Sequence, residues 1–174
     1  MKEVGTFAGG CFWCIESAFK VASKTILKGI TKVTSGYCGG TKKNPKYQDS
    51  GDHLESVQVE YDPSEVKYEQ LLNIFWKQID PTDADGQFAD RGDNYKTAIF
   101  FHNTKQKKAA EDSKKELENS HRFNAPIATK ILKSTDFYPA EDYHQDYSEK
   151  NPIQYKIYKR MSGREGFVKA AWKK

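Results

Sequence analysis

Cysteine is scarce in this chain of 174 residues: Cys11, Cys14 and Cys38 are all it has, and none follows position 38. A small, odd number at one end argues against a disulfide-stapled secreted scaffold. No apolar run approaches the roughly 20 residues needed to cross a membrane, so no membrane partner is expected. The amino terminus has no signal-peptide hydrophobic region, since Lys2 and Glu3 run straight into a strand. A cytoplasmic protein is therefore expected, and in that reducing compartment a Cys-x-x-Cys pair is redox-active or metal-binding rather than structural. Charge of one sign is also lacking: 28 Lys and Arg against 24 Asp and Glu leave +4, spread along the chain. With no DNA- or RNA-binding motif beside it, that balance points to solubility and to no nucleic-acid partner. Repeats, low-complexity tracts and linkers are missing too, so a single domain over residues 1–174 is expected. What the chain does have is aromatics, with ten Phe and ten Tyr, enough for an aromatic core and aromatic-lined pockets.

The stretch around which the rest is organised is Gly9-Gly10-Cys11-Phe12-Trp13-Cys14. Apolar Val4, Phe7 and Ala8 lead into two glycines, and afterwards Phe12, Ile15, Phe19 and Ala22 recur at helical spacing. This reads as strand, tight turn, and a cysteine at the first turn of a helix. Unpaired amides and the positive dipole end there stabilise a thiolate, giving a nucleophile at neutral pH. Phe12 and Trp13 would line a pocket for an apolar group. The plainer reading is a buried structural cysteine among core aromatics.

Strands are expected at residues 3–8, 28–37, 55–61, 97–101 and 127–132, and helices at about 12–22, 68–79 and 104–118. Thr104 is the expected cap of the last of these, with Glu111 placed to pair with Lys115. Two polar stretches, 41–54 and 80–95, read as long loops of the kind that carry function. Pro139 is expected to start a short helix through Tyr147 that ends at Pro152. This order of elements suits an α+β two-layer sandwich with a ferredoxin-like split βαβ core, long loops and a wrapped C-terminal segment. In such a sheet the first and third strands are central neighbours, which would bring Cys11 to Glu55. A thiol, a carboxylic acid and the phenols of Tyr47 and Tyr95 would make a redox or acyl-transfer site.

Several motifs in register resemble one family, peptide methionine sulfoxide reductase A. They are Gly10-Cys11-Phe12-Trp13, Ser35-Gly36-Tyr37-Cys38-Gly39-Gly40, Asn44-Pro45-Lys46-Tyr47, His53-Leu54-Glu55, Asp80-Pro81-Thr82-Asp83, Gly86-Gln87-Phe88-Ala89-Asp90-Arg91-Gly92 with Tyr95, and Tyr143-His144-Gln145. The resemblance implies that Cys11 attacks the sulfur of methionine-S-sulfoxide, free or in oxidised proteins, and becomes a sulfenic acid. It implies that Phe12 and Trp13 hold the methyl group, and that Glu55 protonates the oxygen with help from Tyr47 and Tyr95. Asp90 would assist binding. It implies no bound cofactor and an external thiol reductant, a thioredoxin-like or glutaredoxin-like protein or dithiothreitol in vitro; the enzyme is expected to be a monomer.

The chain departs from the family in two ways: the Tyr47–Glu55 segment is shorter, and the resolving cysteines many members carry near the carboxyl terminus are missing. Resolution falls to Cys14, to Cys38 or to an outside thiol. Taken without the family, Glu55 reads as an exposed strand end, Tyr47 and Tyr95 as packing residues, Asp90 as a turn former, and His53, His102, His121 and His144 as surface or core histidines. Two other functions compete: a general thiol–disulfide oxidoreductase built on Cys11–Cys14, and a structural zinc site from Cys11, Cys14, Cys38 and His53.

Overall fold

The structure, a computed structural model describing residues 1–173, is built on one six-stranded sheet. In chain order its elements are β1 (Glu3–Gly9), α1 (Phe12–Thr25), β2 (Ile30–Cys38), β3 (Leu54–Tyr61), α2 (Tyr68–Trp76), β4 (Gly86–Gln87), β5 (Asp90–Arg91), β6 (Thr97–Phe101), α3 (Thr104–Asn119), β7 (Lys130–Lys133), β8 (Tyr138–Pro139), α4 (Tyr147–Lys150), α5 (Pro152–Met161) and α6 (Arg164–Ala171). The strand order is β7-β6-β1-β3-β2-β8. Its four inner strands have the split βαβ arrangement, with β1 antiparallel to both β3 and β6 and β2 antiparallel to β3. The expected α+β sandwich is the observed one.

Strand alternation sorts the core. From β1, Phe7 turns toward the helices and stacks on Phe19 of α1 and Phe75 of α2, with ring centroids 5.3 Å apart in each case. Its neighbour Ala8 joins Cys38, Ala98 and Phe100 in a second cluster, which alternation places on the opposite face. Gly9 is what lets α1 lie so close: a Cβ there would sit 2.5 Å from Ile15 Cδ1.

Local expectations fail in four places. Asn103, not Thr104, caps α3, its side chain accepting a hydrogen bond from the Gln106 amide at 2.8 Å. The ion pairs of that helix are Lys107–Glu111 and Lys108–Asp112, one turn before the expected Glu111–Lys115. Pro139 lies in an edge strand paired to β2, because its missing N–H is harmless there. Pro152 opens α5 rather than closing a helix, the position where a proline costs least. The stretch 80–95 is a loop that folds into the small β4–β5 hairpin and a 3-10 turn at Asp93–Tyr95.

After β8 the chain wraps back over α1. Lys20 pairs with Asp146, Lys24 with Glu149, and the Asp146 amide donates to Glu16 Oε1 at 3.0 Å. Among the described residues no helix is long and apolar enough to cross a membrane. The cap of α3 gives a direct test: Asn103→Ala should cost about 1 kcal/mol in urea unfolding, while Thr104→Ala should be close to neutral.

Candidate active site

The turn between β1 and α1 is set by Gly10, at φ +81°, a left-handed conformation that only glycine adopts freely. A Cβ at Gly10 would also strike Gln87 Cβ at 2.6 Å and Arg164 Nη2 at 3.0 Å. Cys11 follows as the residue before the first turn of α1. It keeps 6% of its surface, against 1% for Cys14 and 0% for Cys38, so it is the most accessible of the three thiols. Glu55, only 3% exposed, reaches it from β3: the Phe12 amide donates to Glu55 Oε2 at 3.1 Å. Burial pushes the Glu55 carboxyl up to about 8, against the Phe12 hydrogen bond that lowers it and the nearby Asp90 and Cys14 that raise it further. The acid is therefore protonated at neutral pH.

The thiols share their charge in a way the sequence did not indicate. Burial, then Cys14 and Glu55, raise Cys11. The neighbouring Cys11, and then Arg164, Tyr155 and Lys159, lower Cys14 to about 6 against its own burial. Burial therefore opposes a thiolate at Cys11, while the surroundings of Cys14 favour one there. The reason is local: the Phe12 amide is committed to Glu55, and the Cys14 amide closes on the Cys11 carbonyl at 3.2 Å.

Around this pair the other expected residues assemble. Tyr47 is exposed, its amide donating to Glu141 Oε2 at 3.1 Å. Its phenol and that of half-buried Tyr95 are both raised by burial and then by Glu55. Asp90 accepts from the Tyr158 hydroxyl. Trp13 stacks on Tyr147, with centroids 3.7 Å apart and planes at 6°, and meets Tyr158 edge-on at 5.7 Å. Its Nε1–H donates to His144 Nδ1 at 3.1 Å, and Phe12 lies against Tyr37 and His144. The structure therefore brings Cys11, Glu55, Tyr47, Tyr95, Asp90, Phe12 and Trp13 together. It leaves Cys38 apart, its sulfur against the Thr135 carbonyl on the far face of the sheet. His53 is committed to its own loop, with Nδ1 accepting from the Gly40 amide and Nε2 bonded to the Lys42 carbonyl. The four supposed zinc ligands are thus dispersed, and among the described residues no cluster of three metal-binding side chains exists.

Sequence reasoning missed Tyr158, His144, Tyr147, Glu141 and Arg164. The available signal for Tyr158 was its three-residue spacing from Tyr155 on one helix face. Chemically, the arrangement offers a sulfur nucleophile beside a protonated carboxyl, phenols to hold an oxygen, and an indole against which an apolar group can lie.

A family model described as peptide methionine sulfoxide reductase matches residues 3–174. The chain is 52% identical over 175 residues to peptide methionine sulfoxide reductase MsrA of Bacillus licheniformis, covering 98% of this chain and 94% of the relative. It superposes on the reduced form of Mxr1 from Saccharomyces cerevisiae with a TM-score of 0.77 at 30% identity, covering 87% of each chain. It also matches Mxr1 in complex with Trx2, with a TM-score of 0.60 at 25% identity over 84% of each.

The raised Glu55 gives a pH test. Its carboxyl is neutral when folded and ionises near 4.5 when exposed, so its stabilising share is complete below about 4.5 and is lost as pH rises to about 8. Glu16, raised to about 7 by burial, adds to the same slope. Glu55→Gln should flatten the fall in unfolding free energy between those limits, measured by urea titration at several pH values, with Glu16 accounting for the slope that remains.

Proposed function

The chain belongs to the peptide methionine sulfoxide reductase family and is an oxidoreductase acting on methionine sulfoxide in peptides; from that premise we propose how its residues carry out the reaction and what regenerates them. The substrate is methionine-S-sulfoxide, free or in oxidised proteins, with its methyl group against Phe12 and Trp13 and its oxygen toward Glu55, Tyr47 and Tyr95. The observation that carries this reading is the Phe12–Glu55 hydrogen bond of 3.1 Å. It seats a protonated carboxyl one residue from the nucleophile, and sulfoxide oxygen leaves sulfur only when protonated.

Cys11 attacks the substrate sulfur. Its proton passes to the neighbouring Cys14, whose surroundings favour the thiolate, while Glu55 protonates the oxygen. A sulfur–sulfur bond forms; the protonated oxygen then passes from the substrate sulfur to Cys11 as that bond breaks, leaving Cys11 a sulfenic acid and methionine a thioether, so the substrate sulfur is reduced and Cys11 oxidised. Cys14 then attacks the Cys11 sulfur. A disulfide forms, and the hydroxyl leaves as water with the Cys14 proton. The spacing of Cys14, one helical turn from Cys11, supports this role, whereas Cys38 faces the other side of the sheet. A thioredoxin-like dithiol reduces the disulfide; the match to Mxr1 bound to Trx2 supports that partner. A protonated acid beside the thiol also favours this chemistry over general disulfide exchange, which has no use for Glu55.

With methionine sulfoxide and dithiothreitol, Cys11→Ser should be inactive and Glu55→Gln slower by roughly 10²–10⁴-fold. Cys14→Ser should release one methionine per enzyme but fail to recycle with thioredoxin, while Cys38→Ser should recycle normally. Thioredoxin-driven turnover of Cys14→Ser at the wild-type rate would overturn the assignment of Cys14.

A further inference from the structure

Arg164 is the largest fully buried side chain in the molecule, 1% exposed. It enters from the start of α6 and runs beneath the glycine turn that precedes Cys11. Nη2 donates to the Gly9 carbonyl at 2.9 Å and Nη1 to the Gln78 carbonyl at 2.6 Å, while the Phe88 ring covers the guanidinium at 4.8 Å. Its Nε–H is buried without a partner, and it takes part in no ion pair among the described residues. A guanidinium cannot shed its charge, and a buried charge without an opposite one is strongly destabilising. Its negative partner must therefore come from the acids packed around the turn.

The Tyr155 hydroxyl, from the preceding helix, is likewise buried and unpartnered; it faces Cys14 and Ser17. The Arg164 charge and the Tyr155 hydroxyl both favour the charged form of Cys14. We propose that these two side chains form an anion cradle for Cys14 and act as positioning residues for the step in which Cys14 closes the disulfide on Cys11. The proposal rests on the reading above that Cys14 resolves the sulfenic acid.

The groups facing Cys14 divide by element. Arg164 comes from α6; Tyr155, Lys159 and Tyr158 come from α5; Cys11 and Glu55 lie on the substrate side. The cationic groups are all on the C-terminal helices and the acids are all on the substrate side, so the field favours charge on Cys14. The same cradle serves reduction. A thiolate of the reductant attacks the more open Cys11, the Cys11–Cys14 bond breaks, and Cys14 departs as the lower-pKa sulfur, which is the better leaving group. A mixed disulfide on Cys11 remains for the second thiol of the reductant to resolve.

The test is a single turnover of reduced protein with methionine sulfoxide and no reductant, quenched by alkylation across a pH series. Peptide mapping identifies the thiols consumed. In the wild type, methionine release should be followed by formation of the Cys11–Cys14 disulfide. Arg164→Gln should move the pH midpoint of that second step up by about one pH unit, a tenfold slowing below the midpoint. Arg164→Lys should restore the midpoint, and Tyr155→Phe should move it less, in the same direction. A merely structural arginine would change stability or amplitude but leave the midpoint in place.

If the wild type forms no Cys11–Cys14 disulfide, the reading of Cys14 falls and this proposal with it. If the disulfide forms with an unchanged midpoint in Arg164→Gln and Tyr155→Phe, the cradle alone is overturned. Should Arg164→Gln fail to fold, an unchanged midpoint in Tyr155→Phe overturns the cradle by itself.

Discussion

The contact on which the site depends is the hydrogen bond from the Phe12 amide to Glu55. It joins the first turn of α1 to the start of β3, 43 residues apart in sequence, and strand order makes it possible. Because β1 and β3 pair in the centre of the sheet, the turn leaving β1 lies over the point where β3 begins. Glu55 shares the inward phase of Val57, Val59 and Tyr61, so the strand that builds the core also delivers the acid into it. Register matters as much as order, since a slip of one residue would put Ser56 against the thiol and Glu55 on the opposite face.

The sheet supplies only half of the site, and the wrapped C-terminal segment supplies the rest. Glu141 takes the Tyr37 hydroxyl at 3.0 Å and the Tyr47 amide at 3.1 Å, fixing the loop that carries Tyr47. Tyr147 is seated because Glu16, one turn along α1 from Phe12 and Trp13, accepts the neighbouring Asp146 amide, and its ring then stacks on Trp13. Tyr158 donates to Asp90, and its phenol is raised by burial and then by Cys11. Residues within the last forty thus wall the site of the proposed nucleophile at position 11, and that site is complete only once the segment has docked.

This division explains what the sequence made legible. The Cys11 turn, the alternation of β3 and the helical stripe of α2 are local patterns, and their periods place Cys11 and Glu55 once the split βαβ order is recognised. Family motifs carried Tyr47, Tyr95 and Asp90, whose local signals are those of packing or turn residues. Arg164, His144 and Tyr158 stayed invisible because their meaning is set by contacts 155, 131 and 68 residues away, and no local period records such a contact. The proline errors have the same origin: Pro139 and Pro152 are each compatible with several boundaries, and only pairing with β2 or the start of α5 decides between them. The helix start favours a Cys11 thiolate, whereas burial, Cys14 and Glu55 act against one, a balance that no local pattern records.

Three acids, Cys11, Cys14 and Glu55, lie within mutual reach in a region of low dielectric, where they cannot all ionise. The buried guanidinium of Arg164 stands against them, with Lys159 also acting on Cys14. The state in best balance with it carries a single negative charge, and the groups around Cys14 favour that charge there. The proposed cycle keeps the total unchanged: sulfoxide reduction transfers protons within the group, and after water departs the one negative charge rests on Glu55. At about 8, that carboxylate draws a proton from neutral solvent and the acid is restored without any conformational change. The pairing of a raised carboxyl with a lowered thiol is therefore a single device. Burial alone would raise all three groups and leave no base for the Cys11 proton; the buried guanidinium makes one of them an anion, and the separation between thiolate and acid lets one site both accept a proton and donate one at the same pH.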